Sequence, residues 1–505
     1  MRLRHYTIVY ASFLMFVCSC VEAFSQTSDK STLDYAKIFQ IDDSIHRAEL
    51  ASGRIKPYSP KTRFEGFFTF DVEWHIFPVN LSTQNFLVLT TKELCDTIGK
   101  EIRTYCEDVH AIYGYGVYLL TVQNPNPQRL KTLIVNYSNN LCGVLFIGDL
   151  GEVFYEIEND YESFGYANWP CDLFFMDMDG EWTDSDNNGI YDTHSGNVSP
   201  EIFMARLSAA SMKCLGSEAN AIRSQLQKSH SYWWRNSYHT ASRALNYINS
   251  QWLYSFPHFY LRPVFPNNYE PTDCRATPYN TSFSTADYLS RINNSVYGFT
   301  QLASHSGITY HVFDSFENIQ DYEILAIPSG NYAYNLYCCS ACNWTGGFNC
   351  YLGGAYLFNN GKTMAVVGST KKGGMKGENH FYSTFPTNNL GSSFLYWWQH
   401  HHDSVYNSET VYNSYGMTIL GDPMINFYHN VSDYCVNDLT LTSYPLGNYS
   451  NLILYRAGNS ITVTNDYSIY TGTHVVFDAP TVTISSGFNC PLGASFEVRS
   501  EGCEL

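Results

Sequence analysis

The chain has 505 residues, of which 15% are charged, and it carries 47 acidic against 29 basic side chains. The resulting formal charge of -18 excludes nucleic acid as a partner, because no basic face could neutralise a run of phosphates. A chain of this length is too long for one compact core, so two or three domains are expected.

The N-terminus has the pattern of a secretory signal peptide. Two arginines precede an apolar stretch from Ile8 to Val21, and small residues follow it. Residues 1–23 are therefore predicted to be removed. The alternative is lipidation of Cys20, which would attach the mature N-terminus to a membrane. No later segment has the ~20 apolar residues of a membrane helix. We expect a protein that is secreted or held at the cell surface.

Residues 24–81 show no sustained hydrophobic period and contain three prolines, which predicts a lead-in or propeptide-like segment. From residue 82 a regular alternation begins. Short apolar runs such as NFLVLTT, GVYLLTV and CGVLFIGDL predict strands, and the text between them has helical spacing. Alternating strands and helices predict a parallel sheet covered by helices, with a first subdomain over residues 82–232.

The same alternation continues over residues 233–432, which predicts a second α/β subdomain. Its strands are RALNYIN, YGFTQLAS, YAYNLYC and TMAVVGST, and helices are predicted near 286–294 and over FNCYLGGAYLFN and SSFLYWWQHHHDS. A helix near 217–231 is predicted at the end of the first subdomain. Residues 433–505 change to short β runs separated by turn residues. They predict a small all-β module, either a sandwich or a short solenoid.

An acidic insert, DMDGEWTDSDNNGIYD, interrupts the first subdomain. It places oxygen ligands at positions one, three, five, seven and nine of a loop, and a glycine at position six permits the sharp turn. This spacing predicts a structural calcium site, in which Asp177 or Asp179 completes the shell because Ser195 replaces the terminal glutamate. The alternative is a solvated acidic loop. The predicted ligands are Asp184, Asp186, Asn188, the backbone carbonyl of Ile190, and Asp192.

The cysteine cluster YNLYCCSACNWTGGF follows a predicted strand. A zinc site needs two separated pairs of ligands, which are absent from this text, whereas a disulfide could use one or two of the four thiols formed by its three cysteines and the nearby Cys350. Open parallel sheets place their chemistry at the carboxyl ends of strands, so a thiol nucleophile is the functional interpretation. Such a thiol needs an imidazole base, and His305 follows the preceding strand in the text ASHSG.

The chain resembles the gingipain-type cysteine peptidases, which have a caspase-like fold. The resemblance runs from Phe86 to Tyr428 in seven blocks that occur in family order: CGVLFIGD, CDLFFMDMDGEWTDSDNNGIYD, SPEIFMARLSA, ASHSG, YNLYCCSA, TMAVVGSTK and GMTILGDPMINFY. It implies a catalytic dyad of His305 and a cysteine of the cluster. Cys339 stands where similar proteins keep the nucleophile, and Cys342 is the second candidate. Cys338 alternates to the opposite face of its strand and is expected in the core.

The resemblance also implies the rest of the site. Backbone N–H groups of the cysteine and of the Ser306 and Gly307 loop would hold the oxyanion of an acyl-transfer reaction. The family places a carboxylate at the end of an earlier strand, where this chain reads ALNYINSQW, so Asn249 would orient the imidazole. Serines also replace both glycines that flank the family histidine.

Two functions follow. The first is a secreted cysteine endopeptidase that hydrolyses peptide bonds of protein or peptide substrates through an acyl-enzyme. The alternative is a catalytically impaired relative that acts as a surface binding or scaffold protein. Gingipains cleave after basic residues, and the acidic balance would suit a basic side chain, but no residue of the sequence identifies that pocket.

Overall fold

A computed structural model of the chain describes the residue ranges 35–55, 66–162, 164–235, 243–252, 261, 264, 273–276, 283–313, 317–347, 349–401, 411, 413–445, 447–448, 450–464 and 466–505. The predicted signal peptide and the alternative lipidation site at Cys20 lie outside these residues.

The helices of the described residues are α1 (Tyr35–Ser52), α2 (Lys92–Tyr113), α3 (Pro127–Asn136), α4 (Leu173–Met176), α5 (Glu218–Trp234), α6 (Thr285–Asn294), α7 (Asp321–Leu325), α8 (Leu352–Leu357), α9 (Glu378–Ser383) and α10 (Leu390–His401). None of these helices is both long enough and apolar enough to cross a bilayer.

The strands of the described residues are β1 (Thr69–Ile76), β2 (Asn85–Thr91), β3 (Gly116–Gln123), β4 (Leu141–Ile147), β5 (Phe154–Ile157), β6 (Ala167–Pro170), β7 (Glu181–Thr183), β8 (Thr193–Ser195), β9 (Phe203–Leu207), β10 (Ala244–Ile248), β11 (Asp273–Ala276), β12 (Phe299–Ala303), β13 (His305–Ser306), β14 (Tyr310–Val312), β15 (Asn318–Gln320), β16 (Ala333–Tyr337), β17 (Ala365–Ser369), β18 (Met417–Gly421), β19 (Val436–Leu441), β20 (Leu452–Val463), β21 (His474–Asp478), β22 (Thr481–Ile484) and β23 (Ser495–Arg499).

Side-chain caps and a left-handed residue set the helix ends. The Thr91 hydroxyl accepts a hydrogen bond from a backbone N–H in the first turn of α2, and Ser217 does the same for α5. Gly114 ends α2 at φ 68°, a conformation that glycine adopts without a steric cost. The helix predicted over residues 348–359 is shorter than expected, because Cys350 is disulfide-bonded to Cys214 and Tyr351 is extended.

An eleven-stranded sheet organises the described part of the chain. Its order is β1-β3-β2-β4-β9-β18-β17-β16-β12-β10-β11. Neighbours are parallel from β3 to β9 and from β17 to β11, while β1 and β3 are antiparallel, as are β17 and β18. Every residue of β4, β12 and β16 is buried, as expected for strands that have both faces covered. The predicted caspase-like α/β fold with a mainly parallel sheet is confirmed.

Two elements occupy the segment that the sequence assigned to a lead-in. Strand β1 extends the large sheet at its edge beside β3. Helix α1 packs instead near the short strand β13, on the second subdomain. The chain before residue 82 therefore reaches both halves of the fold.

The C-terminal module is built from parallel strands. Strand β20 pairs in parallel with β19, β21 and β22, and β21 pairs in parallel with β23. This pairing is typical of a short solenoid rather than of an antiparallel sandwich. The module has its own small apolar core and is closed by a disulfide between Cys435 and Cys503.

A buried arginine attaches this module to the first subdomain. The Arg456 guanidinium donates to the carboxylate of Asp478 within the module at 2.8 Å and to Asp108 of α2 at 3.4 Å, and it lies 4.2 Å from the centre of the Trp234 ring. Arg456 is 5% exposed and Asp108 is fully buried. Because these groups are shielded from solvent, water cannot stabilise the Asp108 and Asp478 carboxylates in place of the Arg456 guanidinium.

We expect Arg456→Met to reduce the free energy of unfolding by about 3–5 kcal/mol, because it leaves two buried carboxylates without their cation. Urea unfolding followed by circular dichroism measures the change. Lys92→Met, which removes the cation of an exposed pair with Asp96, is the matched control and should leave the midpoint unchanged. Equal midpoints for the two variants would contradict this role of Arg456.

Candidate functional site

Three neighbouring strand ends bring the predicted site residues to one edge of the sheet. In the register of β10, β12 and β16, Ile248, Ala303 and Tyr337 lie side by side. His305 and Cys339 each follow two residues later. The Ser306 hydroxyl donates to the backbone carbonyl of Cys339 at 2.6 Å, which joins the two loops directly. The strand ends thus place the histidine and cysteine segments in contact despite their separation in sequence.

The three cysteines of the cluster have different surroundings. Cys339 lines a cavity and accepts a hydrogen bond at Sγ from the backbone N–H of Gly373 at 3.4 Å. Cys338 lies on the other side, where its Sγ is 3.5 Å from the Ser304 hydroxyl. Cys342 is buried in the core, and a Cβ built on Gly368 would lie 2.6 Å from its Sγ. All three are free thiols. Of these three, Cys339 is the one that faces the cavity.

The turn after Cys339 has an unusual backbone conformation. Ser340 has φ 59°, in the left-handed region that residues with a side chain seldom adopt. Its backbone N–H donates to the carbonyl of Lys371 at 2.9 Å, which holds the turn against the loop that follows β17. Such strained turns are often found at functional sites, where they fix the direction of a side chain.

Both ring nitrogens of His305 are hydrogen-bonded. Nδ1 lies 2.8 Å from Oδ2 of Asp42, and Nε2 lies 2.8 Å from Oε1 of Gln251. The ring also packs on Trp252, with 4.7 Å between ring centres. Each ring nitrogen therefore already has a partner in this conformation. Because Nδ1 faces the acceptor oxygen of the Asp42 carboxylate, it is not available to accept a proton from a thiol.

Helix α1 supplies the carboxylate at this histidine. The other oxygen of Asp42 accepts from the backbone N–H of Ser306 at 2.8 Å, so one carboxylate holds both the predicted base and a predicted oxyanion donor. Two turns further along α1, Glu49 accepts from the backbone N–H groups of Ile308 and Thr309 at 3.0 and 2.8 Å. A Cβ on Gly307 would meet Glu49 Oε2 at 2.1 Å, so this close approach needs glycine. Two carboxylates of α1 thus bind the histidine loop.

The environment of Cys339 favours its neutral thiol. The residue is 3% exposed, as is His305, while Asp42 is 2% exposed. Burial raises the pKa of the Cys339 thiol well above its ordinary value, and the nearby carboxylate of Asp42 raises this pKa further. Lys372 acts in the opposite direction and lowers the pKa, with a smaller effect. With α1 in place, the thiolate is therefore disfavoured.

The cavity beside Cys339 has a volume of about 300 Å³. One wall comes from α1, through Asp42, Asp43, His46 and Leu50. The other walls come from the loops after β12, β16 and β17 and from the segment around β5 and β6. A groove of this kind at the carboxyl ends of parallel strands is where α/β proteins bind ligands.

The amino-acid sequence was compared with models of known protein families to identify the family of this chain. The model of peptidase family C25 matches residues 84–428, which is more than half of the chain. The chain belongs to peptidase family C25. The resemblance to gingipain-type cysteine peptidases is therefore confirmed. Neither a search of curated proteins nor a search of solved structures gave a match.

The other predicted site residues of this C25 chain, Asn249 and Gly307, make their hydrogen bonds within the neighbouring loops. Asn249 is buried, and its side-chain oxygen accepts from the backbone N–H of Gln251 at 2.9 Å. It orients the residue that contacts His305, rather than His305 itself. The Gly307 N–H donates to the carbonyl of Tyr310 at 3.0 Å, inside the β13–β14 turn. Ser306 is the member of this loop whose N–H faces the Asp42 carboxylate.

The acidic insert of the C25 chain forms two carboxylate groups rather than one loop of ligands. Asp186 and Asp192 converge with Glu156. Asp184 caps its own turn by accepting from the N–H groups of Asn188 and Gly189, and Ile190 is buried. The second group contains Asp177, Asp179 and Glu201, in which burial and the two aspartates raise the pKa of Glu201 to about 7. Converging carboxylates are the oxygen ligands that a hard cation such as calcium prefers.

Sequence reasoning did not identify Asp42, Gln251, Trp252 or Lys372 as parts of the site. Gln251 and Trp252 stand in the text INSQW, where the family carboxylate was expected, so a partner of the histidine could have been sought there. Asp42 is 263 positions from His305, and an isolated acidic residue carries no local signal of such a contact.

Proposed function

We propose that this member of peptidase family C25 is a secreted cysteine endopeptidase in which Cys339 is the nucleophile and His305 the base. The observation that carries the proposal is the register of β12 and β16, after which His305 and Cys339 stand on adjoining loops, with Cys339 lining a cavity. Membership of a peptidase family supports protein or peptide as the substrate. The contact between the two loops supports the pairing of a thiol with an imidazole base that such a nucleophile needs.

The proposed reaction uses groups of this chain alone. Once Nδ1 of His305 is unprotonated, it takes the proton of the Cys339 thiol, and the thiolate attacks the peptide carbonyl. The imidazolium then protonates the leaving amine as the C–N bond breaks. Water, deprotonated by the same imidazole, hydrolyses the thioester and restores the thiol. Gln251 holds Nε2–H throughout, in the positioning role that an amide plays in papain-like sites.

We also propose that the described conformation is a latent one, which agrees with the propeptide-like character expected for residues 24–81. Asp42 occupies Nδ1 of His305 and the N–H of Ser306. These are the atoms that the reaction needs for proton transfer and for the oxyanion. Helix α1 must therefore leave before a substrate can be cleaved.

A peptidyl thiol-reactive inhibitor tests the proposed function. Mass mapping after incubation at pH 7 should find the label on Cys339, and prior alkylation should abolish cleavage of casein. Slow and uniform labelling of all free cysteines, without casein cleavage under any activating treatment, would instead favour the scaffold alternative.

Export is supported by the pattern of residues 1–23 and by two disulfides, Cys214–Cys350 and Cys435–Cys503, since such bonds persist in oxidising compartments. We propose that the protein is secreted or attached at the cell surface. N-terminal sequencing of the exported protein distinguishes cleavage after residue 23 from a lipidated Cys20.

We further propose that the insert binds calcium as a structural ion. Chelator-treated protein should gain thermal stability when Ca²⁺ is added, by about 2.7 kcal/mol at a concentration one hundredfold above the dissociation constant. Asp186→Asn should remove most of this gain because it discharges one carboxylate of the group with Glu156. Asp438→Asn, in the C-terminal module, is the control. Superimposable melting curves with Ca²⁺ and with chelator would refute the site.

A further inference from the structure

The cavity at Cys339 contains two lysines whose charges are balanced differently. Lys371 is 4% exposed, and its Nζ lies 2.9 Å from Oδ1 of Asp160. Asp160 belongs to the permanent wall of the cavity, near β5 and β6. This cation is therefore neutralised by the body of the enzyme, whatever happens to α1.

Lys372 is balanced by α1. Its Nζ lies 2.8 Å from Oδ1 of Asp43, and the two side chains are each 15% exposed. Among the described residues, no other carboxylate lies within ion-pair distance of Lys372. Its ammonium group also sits 4.6 Å from the centre of the Phe164 ring, in a partly apolar setting. The ammonium group of Lys372 is thus paired with Asp43, which belongs to the helix that must leave before cleavage.

Departure of α1 leaves an ammonium group beside the nucleophile without its carboxylate. An ammonium group that loses its carboxylate partner at the wall of a binding cavity attracts another anion there. In the described conformation the anion is Asp43, which pairs with Lys372 while the preceding residue, Asp42, contacts His305. A substrate whose acidic side chain lies next to the residue at the dyad would replace the charge of Asp43.

The net charge of the whole chain predicts the opposite preference, since -18 would attract basic peptides. Salt screens charges that lie more than about 8 Å apart at physiological ionic strength. Lys372 lines the cavity itself and acts at contact distance. Lys372 therefore determines which substrate side chain is bound at the cavity, whereas the net charge of the protein affects the rate at which peptides approach it.

We propose that Lys372 is a specificity-determining residue that selects peptides with aspartate or glutamate next to the cleaved bond. The proposal rests on the proposed function and names its substrate class.

The experiment compares the full-length protein, cut at a protease site introduced between residues 55 and 66 and diluted so that α1 dissociates, with its Lys372→Glu and Lys372→Met derivatives treated in the same way, on peptides from a denatured proteome. Mass spectrometry of the products should show at least tenfold enrichment of acidic residues beside the bond for the parent. Lys372→Met should lose this enrichment, and Lys372→Glu should favour lysine and arginine. Lys362→Glu, a charge change at the far end of β17, should behave like the parent.

A binding measurement separates failure of this inference from failure of the proposed function. Acetyl-Asp-Asp-amide at millimolar concentration should slow the alkylation of Cys339 at least fivefold in the parent, and acetyl-Lys-Lys-amide should not. Cleavage without an acidic preference, or with the same preference after Lys372→Glu, overturns the inference and leaves the peptidase standing. Protection without any cleavage supports the acidic subsite and overturns the peptidase. Neither cleavage nor protection overturns both.

Discussion

Cys339→Ala is expected to lower the rate of peptide hydrolysis on the order of 10⁴-fold or more, whereas Cys342→Ala should keep it within about threefold. Loss of a nucleophile removes the covalent route and leaves only the contribution of binding and oxyanion stabilisation. Cys342 is enclosed by the core near Gly368 and cannot reach a substrate without rearrangement of β17.

The two variants also differ in their expected effect on stability. Cys342→Ala opens a small space in a tightly packed region and should reduce the free energy of unfolding by about 1 kcal/mol. Cys339→Ala sits at the cavity and should unfold like the parent. Hydrolysis of casein peptides and urea unfolding measure the two properties separately. An active Cys339→Ala protein, or an inactive but folded Cys342→Ala protein, would show that the nucleophile has been assigned to the wrong sulfur.

Asp42→Ala is expected to increase the alkylation rate of Cys339 by iodoacetamide at pH 7 by more than tenfold. The carboxylate of Asp42 raises the pKa of the thiol, so its removal lowers that pKa and increases the thiolate fraction. It also frees Nδ1 of His305, which can then lose its proton and accept that of Cys339.

The sign of the pH effect follows from this change. A thiol whose pKa is lowered reacts at a lower pH, so the alkylation profile of the variant should shift to the acid side of the parent profile. Asp96→Ala, an exposed acidic residue of α2, is the control for a change of one charge. If Asp42→Ala labels no faster than Asp96→Ala, α1 does not restrain the dyad, and the described conformation is not latent.

The strand ends could be predicted because each mainly apolar run stops just before the residues that carry the candidate chemistry. YGFTQLA and YAYNLY are rich in apolar and aromatic residues, although Thr300, Gln301 and Asn335 interrupt them, and the imidazole and the thiols follow within two residues. Parallel pairing of consecutive strands then places both ends at one edge. The same logic separated Cys338 from Cys339, since side chains alternate along a strand.

The partners of His305 could not be predicted because they depend on contacts between distant segments. Asp42 reaches the ring from α1, and the irregular hydrophobic pattern of that segment reflects a helix that binds through carboxylates as well as through an apolar face. In the acidic insert, by contrast, the local sequence pattern was clear but did not predict the contacts. Its ligand spacing was readable, yet backbone N–H groups near Asn188 engage Asp184, and Glu156 joins the group from outside the loop.

Helix α1 is held at the site by non-covalent contacts, so once its chain connection is cut, the fraction of protein that keeps it bound depends on the protein concentration. Chain connectivity gives α1 an effective concentration in the millimolar range, which a cut between residues 55 and 66 would abolish. The severed helix would then compete with substrate as an ordinary bimolecular inhibitor. A nicked sample should therefore stay silent when concentrated and become active on dilution, with a delay set by the dissociation rate of the peptide.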